Sequence, residues 1–284
     1  MGLFKDNKKV GIPEKLKDVK PKVGKLYHKG NVDSLSSKKI LAVVGSRRIT
    51  QYGQRVIEKI IPNLVDAGVT IVSGFMYGVD QEAHKVCLEC GGKTIAVLGW
   101  GIDWEVEVTD KKLYQEIEDK GLILSEYDGK KRPQLWMFPQ RNRIVAGLAD
   151  AVLVVEAAEK SGSLITAKFA KKFGKKLFAV PGPVTSKTSE GTNNLIKSKD
   201  AVMATSGKDI LTEMAWNTQP SGCHPEGNKS TNQVISLLEN ESLTMDELAM
   251  KLKIPVEKLA IELTLMEVKG LLAEENGKYY INLK

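Results

Sequence analysis

The apolar positions of this chain form short consecutive runs that alternate with stretches of helical periodicity. Runs of about three to five apolar residues without polar alternation are typical of strands buried on both faces of a parallel sheet. Between the runs, apolar residues recur every three to four positions, as on one face of an amphipathic helix. The predicted strands are 40–44, 70–72, 94–98, 122–124, 151–155, 177–180 and 201–204. The predicted helices are 51–67, 79–91, 111–120, 142–148, 164–173 and 192–197.

This alternation predicts an α/β fold: an extended Rossmann-like, mostly parallel open sheet with helices on both faces. Right-handed crossovers place the loops that lead from strands into helices along one edge of such a sheet. Ligands of open α/β sheets bind in the crevice outside that edge. The functional residues are therefore expected in these loops.

The domain boundaries follow from shifts in composition. Residues 1–39 hold eleven Lys against four acids and predict a basic, solvated and partly disordered N-terminal arm. The Rossmann-like domain is predicted at 40–216, and the Pro-, Gly- and Asn-rich stretch 217–230 predicts a linker. Three helical patterns and a strand-turn-strand follow in 231–284, which predicts a small winged-helix domain.

The predicted winged helix has the wrong charge for a clamp on phosphates. From Thr231 onward six Lys face nine acids, and the third helical pattern, 256–269, carries Glu257, Glu262 and Glu267. A helix that reads a DNA groove is expected to carry Arg, Asn and Gln instead. The pattern favours a protein-interaction module over a DNA reader.

The composition of the whole chain excludes several classes of protein. The 284 residues carry a net charge of +7, which permits an anionic partner. No apolar run approaches the length of a membrane span, and no secretory signal opens the chain, so the cytoplasm is the expected location and no membrane role is expected. Cys87, Cys90 and Cys223 make no disulfide framework, and the first two fit the core face of a helix. No metal and no cofactor are expected.

Two loops that follow predicted strands fit the binding of an anion. Gly45, Ser46 and Arg47 leave the first strand just before a helix. A glycine lets the backbone approach a ligand, a helix start attracts anions, and a planar guanidinium suits phosphate oxygens. Ser73 and Gly74 leave the second strand in the same way, with the serine hydroxyl placed to donate to an oxygen.

Two further segments add an aromatic ring and a polar helix start. Phe138 lies beside Arg141, Asn142 and Arg143, a combination that can stack a base and hold its phosphate. The same residues also fit a core phenylalanine with two structural ion pairs, and the pattern alone leaves both readings open. The fourth segment has a small polar cradle at a helix start and a lysine beyond it: Ser161, Gly162, Ser163 and Lys168.

The usual catalytic signatures are absent from these loops. The chain has neither the GxxxxGK[ST] motif of P-loop hydrolases nor the GxSxG nucleophile elbow. His28, His84 and His224 lie outside all four segments, so a Ser-His-Asp arrangement has no base. The loops predict a binding surface and not an enzyme, with no catalytic residue.

Many ordered motifs of the chain are similar to those of the DNA-processing protein A (DprA/Smf) family. They are LYHKGN (26–31), VGSRRITQYG (44–53), SGFMYGVDQEAH (73–84), AVLGWGID (96–103), SEY (125–127), FPQRNRIVAGLA (138–149), VVEAAEKSGSLITA (154–167), FAVPGP (178–183) and GTNNLI (191–196). The chain departs from the family pattern where Phe75 and Met76 replace small residues and where Lys199-Asp200 replaces a common Gly-Ala pair.

The resemblance implies a Rossmann-like domain that forms a homodimer, binds single-stranded DNA and loads a RecA-type recombinase during natural transformation and recombination. The family's DNA-contacting arginine falls on Arg47, and its FPxRNR residues fall on Phe138, Arg141, Asn142 and Arg143. The family pairs near the end of this domain, where Leu211 and Met214 form an apolar patch with their neighbours, so we expect the dimer interface there.

Two other functions remain open at this level. One is a phosphoribohydrolase-like enzyme on a related fold, although the chain offers Pro181-Gly182-Pro183 without the PGGxGTxxE pattern of that group. The other is a sensor that binds a free nucleotide in the same loops.

Overall fold

The chain forms two compact units, Met1–Cys223 and His224–Lys284. In this computed structural model the described residues are 9–216, 234, 237–238, 241–252, 254–268, 271–275 and 277–281. The predicted linker 217–230 lies outside the described residues. Among the helices that are described, none is both long and apolar enough to cross a membrane.

The first unit is built on a nine-stranded sheet. Its strands are β1 (Lys9–Val10), β2 (Leu26–Gly30), β3 (Ile40–Val44), β4 (Thr70–Ser73), β5 (Thr94–Gly101), β6 (Leu122–Tyr127), β7 (Ala151–Val154), β8 (Lys176–Ala179) and β9 (Val202–Met203). Their order is β1-β2-β6-β5-β4-β3-β7-β8-β9. The strands from β3 onward are parallel, whereas β2 pairs antiparallel with β6 and β1 antiparallel with β2. The predicted mostly parallel α/β sheet is confirmed.

Helices cover both faces of the sheet. They are α1 (Gln51–Asp66), α2 (Val79–Glu89), α3 (Lys111–Lys120), α4 (Met137–Leu148), α5 (Ser163–Lys172), α6 (Glu190–Lys197) and α7 (Gly207–Glu213). Along β3, Ala42 and Val44 pack with residues of α4 and α5, while Leu41 and Val43 pack with residues of α1 and α2. A strand with an apolar layer on each side has no polar alternation, which explains the consecutive runs in the sequence.

Residues 1–8 of the predicted N-terminal arm 1–39 lie outside the described residues, and for residues 9–39 the prediction of a solvated arm is wrong. Strand β2 pairs with β6 in the register Tyr27↔Ser125, and Leu16, Val19 and Val23 are buried in the same apolar cluster as α4. Lys15 pairs with Asp150 at 2.7 Å. The described lysines of this segment are partly or fully exposed, while the apolar residues between them pack inward. The high lysine content therefore reflects only the exposed side of the segment.

Helix α4 begins five residues before the predicted start at 142. Pro139 lies in its first turn, where the missing N–H breaks no intrahelical hydrogen bond. Because proline usually interrupts a helical pattern, the sequence hid this first turn. The earlier start places Phe138 and Arg141 on a regular helix.

The second unit contains helices Met245–Leu252 and Val256–Val268 and a three-stranded antiparallel sheet. Its strands are Leu243–Thr244, Leu272–Glu275 and Lys278–Ile281, of which the first was not predicted. A capping box starts the first of these helices, with the Thr244 amide donating to Glu247 at 2.8 Å and the Glu247 amide donating to Thr244 Oγ1 at 3.3 Å. The assignment of this unit as a winged helix stays a prediction.

Candidate functional site

A cleft opens at the carboxyl edge of the sheet, where the strand order reverses direction. Strand β3 lies between β4 and β7, so the loops after β3 and β7 lead away from each other and leave a crevice. The cleft has a volume of about 560 Å³. Its walls come from the loops after β3, β4 and β7 and from the start of α4.

Most of the predicted site residues line this cleft. Those that do are Gly45, Ser46, Arg47, Gly74, Phe138, Arg141, Asn142, Ser161, Gly162 and Ser163. The fold thus brings together four segments that are more than a hundred residues apart at their extremes, as the crossover rule predicts.

Arg47 lies over the ring of Phe138. Its guanidinium carbon is 5.3 Å from the ring centroid, and the arginine side chain is exposed. Phe138 also meets Trp100 edge to face at 6.2 Å, and a Cβ on Gly99 would come within 2.8 Å of the phenylalanine ring. Trp100 and Gly99 therefore hold the phenylalanine ring on its inner side, and Arg47 lies on its solvent side.

The loop that carries Arg47 packs tightly against the loop after β4. Gly78 has a φ of +78°, and the Val79 amide donates to the Ser46 carbonyl at 3.1 Å. A Cβ on Gly45 would lie 2.6 Å from the side chain of Val79. The Ser46 hydroxyl accepts from the Arg48 amide at 3.0 Å, which closes the turn. These contacts fix the backbone of the turn without a contact to the Arg47 side chain.

Arg141 lies beneath the cleft rather than in its mouth. It is buried, and its Nη1 donates to the carbonyls of Gly74 and Val97. Burial, opposed by the nearby carboxylate of Asp80, lowers the pKa of Arg141 to about 10, so the guanidinium stays charged at neutral pH. Burial also raises the pKa of Asp80, against the opposing effect of Arg141. A cation is thus built into the floor of the cleft.

The start of α5 forms the opposite wall. The hydroxyls of Ser161 and Ser163 are 2.8 Å apart, and Asn142 Nδ2 donates to the Gly162 carbonyl at 3.3 Å. Asn142 Oδ1 accepts from Arg141 Nε at 3.2 Å, so this amide links the floor to the wall. The amino-terminal end of a helix carries partial positive charge and favours an anion in front of it.

Three predicted site residues do not reach the cleft. The Ser73 hydroxyl is buried and donates to the Val43 carbonyl at 2.6 Å. Arg143 is buried in a bidentate ion pair with Glu126, with both N–O distances 2.7 Å, and donates to the Pro21 carbonyl at 2.8 Å. Lys168 is exposed on α5, outside the lining of the cleft. Ser73 and Arg143 are structural residues, and for Arg143 the ion-pair reading of the sequence is the correct one.

Two exposed cations of the cleft were missing from the predicted site residues. Arg48 and Lys160 both line the cleft, next to residues that were selected. With Arg47 and Arg141 they make four basic side chains among the described residues of the lining, where Asp80 supplies the single carboxylate. Both residues could have been found by their positive charge, since they lie in the same loops as the predicted residues. The prediction relied on glycines and helix starts and did not include every basic residue of those loops.

The described part of the cleft offers a charged binding surface without a paired acid and base. His84 is buried outside the cleft with Nδ1 2.6 Å from Thr94 Oγ1, and burial lowers its pKa to about 3. Within the described ranges, no three His, Cys, Asp or Glu side chains gather as metal ligands would.

Comparison with known proteins places the chain among DNA-processing proteins. The family profile described as DNA recombination-mediator protein A matches residues 5–215. The DNA processing protein DprA of Streptococcus pneumoniae is 43% identical over 191 residues, which cover 67% of each chain. The protein Smf of Escherichia coli is 35% identical over 267 residues, covering 90% of this chain and 71% of that protein.

Two solved structures share the architecture. The crystal structure of the Streptococcus pneumoniae protein superposes with a TM-score of 0.70 at 40% identity, covering 74% of this chain and 75% of that one. DNA processing protein A of Helicobacter pylori, described with a single-stranded DNA binding mode, gives a TM-score of 0.70 at 31% identity, covering 75% and 98%. With a profile match over most of its length and these relatives, the chain belongs to the DNA recombination-mediator protein A family.

Proposed function

We propose that this protein binds single-stranded DNA in the cleft at the carboxyl edge of the sheet and serves DNA processing in recombination. The observation that carries the proposal is Arg47 placed over Phe138 at the cleft mouth. The exposed guanidinium, held over the ring, supplies a planar surface for a base and a charge for a phosphate. Stacking of this kind needs an unpaired base, which favours single strands over duplex.

The charge of the lining supports a ligand recognised through its backbone. Arg47, Arg48 and Lys160 are exposed cations, while Arg141 and the start of α5 add fixed positive potential. Few of the exposed groups are arranged as bidentate readers of base edges. We therefore expect binding that is largely insensitive to sequence and weakens as salt rises.

The protein's partners belong to the same proposal. We propose that it forms a homodimer and hands single strands to a RecA-type recombinase, as the family resemblance implies. The acidic second unit suits a protein-interaction role, since from Thr231 onward the chain has nine acids against six lysines.

Leu211 exposes little surface for the dimer interface that the sequence predicts. It is buried in the cluster that α7 makes with α1, and Met214 packs against the same cluster. An apolar surface nearby is the edge strand β9, which pairs with β8 on one side, and its Met203 is 52% exposed. We propose this edge as the dimer surface, because an open strand edge can pair with a second copy.

A second candidate is a sensor for a free nucleotide. A cleft of about 560 Å³ at the switch point of the sheet has room for one nucleotide, and such crevices commonly bind them.

We propose a binding protein rather than an enzyme, because the described lining holds one buried carboxylate and no histidine.

The test is fluorescence anisotropy with single- and double-stranded oligonucleotides across a salt series. The proposal expects tighter binding of the single strand and an affinity that falls steadily with salt. Equal binding of both forms, or an affinity that salt does not change, would overturn it. Competition by nucleoside monophosphates at low concentration would favour the sensor, and release of free base from them would show an enzyme.

A further inference from the structure

A loop with basic and aromatic side chains borders the cleft. The loop, residues 128–136, connects β6 to α4 and carries the consecutive cations Lys130, Lys131 and Arg132. Leu135 and Trp136 follow with 86% and 50% of their side chains exposed. Two consecutive exposed apolar side chains beside three cations make this loop a candidate contact surface, because contiguous exposed apolar patches mark binding sites.

The aromatic part of the loop is held by contacts with Tyr127 at the end of β6 and by contacts within the loop. Trp136 meets Tyr127 edge to face at a centroid distance of 6.0 Å. Lys131 Nζ lies 4.9 Å from the Tyr127 ring centroid and 5.8 Å from that of Trp136. The indole N–H of Trp136 donates to the side chain of Gln134. The indole is thus held in one orientation with half of its surface open.

The backbone of the loop is anchored to the end of β5. The Gly101 amide donates to the Lys131 carbonyl at 2.8 Å, and the Asp103 amide donates to the Gly129 carbonyl at 3.0 Å. Gly129 takes a φ of +58°, which suits glycine at the turn. The cations and the indole are therefore presented from a fixed frame.

The loop continues the surface of the cleft and carries unneutralised charge. Leu135 lines the cleft itself, one residue before Trp136. Lys130 has a partner in Glu105 at 3.4 Å, with both side chains mostly exposed. In the part of the chain that the structure describes, no carboxylate forms an ion pair with Lys131 or Arg132.

We propose that this loop is a second single-stranded DNA subsite, in which a base stacks on Trp136 while Lys131 and Arg132 hold the adjoining phosphates. This inference rests on the proposed function of the cleft, because it extends the same strand past Leu135. Cations interleaved with an exposed aromatic ring are the pattern of a single-strand path, whereas the centre of a protein interface is depleted in lysine.

The test compares a short and a long oligothymidine on the full-length protein. A strand of about 2 nucleotides fits the cleft of about 560 Å³ alone, and one of about 12 nucleotides also crosses the loop, within the range of site sizes for single-strand binders. Trp136→Ala should weaken binding of the long strand about tenfold and leave the short strand unchanged. Trp136→Phe should restore most of the loss, because a phenyl ring still stacks.

A second measurement isolates the cations. Lys131→Ala/Arg132→Ala should lower the slope of log affinity against log salt by about 1.4 for the long strand. The matched control is Arg55→Ala/Lys59→Ala, which removes the same charge from exposed positions of α1 away from the cleft. Since all these positions are surface residues, melting temperatures should stay within a few degrees of the parent protein.

The outcomes separate this inference from the proposed function. If Arg47→Ala weakens both strands while Trp136→Ala changes neither, the loop is not a DNA subsite and the cleft assignment stands. If Arg47→Ala leaves the affinity for both strands unchanged, the assignment of the cleft as the DNA site fails. A Trp136→Ala protein that keeps its DNA affinity but loses RecA binding would assign the loop to a protein partner and overturn the inference.

Discussion

Single side chains at the cleft differ in what they can contribute, and Arg47 is both exposed and held over the Phe138 ring. We predict that Arg47→Ala weakens single-strand binding by about 1–3 kcal/mol, the size of a charge-assisted phosphate contact. Arg47→Lys should recover only part of the loss, since an ammonium lacks the planar fork. Anisotropy titrations measure this, with Arg55→Ala on α1 as the control for loss of one exposed charge. Wild-type affinity in a folded Arg47→Ala protein would refute the site.

Arg143 has the opposite role, although it stands two residues from Arg141 in the same motif. We predict that Arg143→Ala lowers the free energy of unfolding by about 3–5 kcal/mol, because it leaves the Glu126 carboxylate without its buried partner. Urea denaturation measures this change. The exposed Lys168→Ala serves as control and should change the stability by less than about 0.5 kcal/mol. A stable Arg143→Ala protein with weakened DNA binding would return this arginine to the binding surface.

Residues 141 and 143 also show why the sequence could not separate ligand contacts from structural ones. Helix positions i and i+2 point about 200° apart, so only one of Arg141 and Arg143 can face the cleft. The phase of α4 depends on where it begins, and Pro139 concealed its first turn. The glycines at 45 and 74 and the serines at 161 and 163 could be found, because strand ends and helix starts leave local signals.

Among the elements, the N-terminal segment is the least expected, since it adds β1 and β2 to one edge of the sheet. We predict that Leu16→Ala destabilises the protein by about 2–5 kcal/mol, as for other fully buried leucines. Lys17→Ala, next to it but exposed, should have little effect. Thermal or urea unfolding distinguishes the two. Equal stability of both variants would mean that the segment does not pack as described.

The strands could be located from the sequence because burial on two faces removes the polar alternation. The run 40–44 corresponds to β3 residue for residue, and both of its faces pack on helices. Strand β2 escaped notice because His28 and Lys29 interrupt its apolar pattern near an edge of the sheet. Edge positions keep contact with solvent, so polar side chains there carry no information about pairing.

At the scale of the whole molecule, the two units should separate in function. We predict that a chain ending at Asn217 keeps single-strand binding within about tenfold, or roughly 1.4 kcal/mol, of the full protein. The reason is that every described residue that lines the cleft precedes that point and that the tail is acidic. Anisotropy on both proteins measures this, and a larger loss from a folded truncation would make the second unit a DNA contact.

Assembly should depend on the β9 edge and not on α7. We predict that Met203→Asp yields folded monomer by light scattering, because a charge on an exposed edge strand opposes pairing with a second copy. Leu211→Arg should instead unfold the domain, since it would bury a charge in the cluster beneath α7. An unchanged mass for Met203→Asp would place the contact elsewhere.

The pairing of β2 with β6 also has a consequence for synthesis of the chain on the ribosome. The first strands are made early, yet β2 finds its partner about a hundred residues later, and Leu16 packs in a cluster with α4, which is made later still. Until then, apolar residues of the segment stay without their native cover, where the neighbouring lysines help to keep a nascent chain soluble. The eleven lysines of residues 1–39 thus suit a segment that is synthesised well before the strand and helix on which it packs.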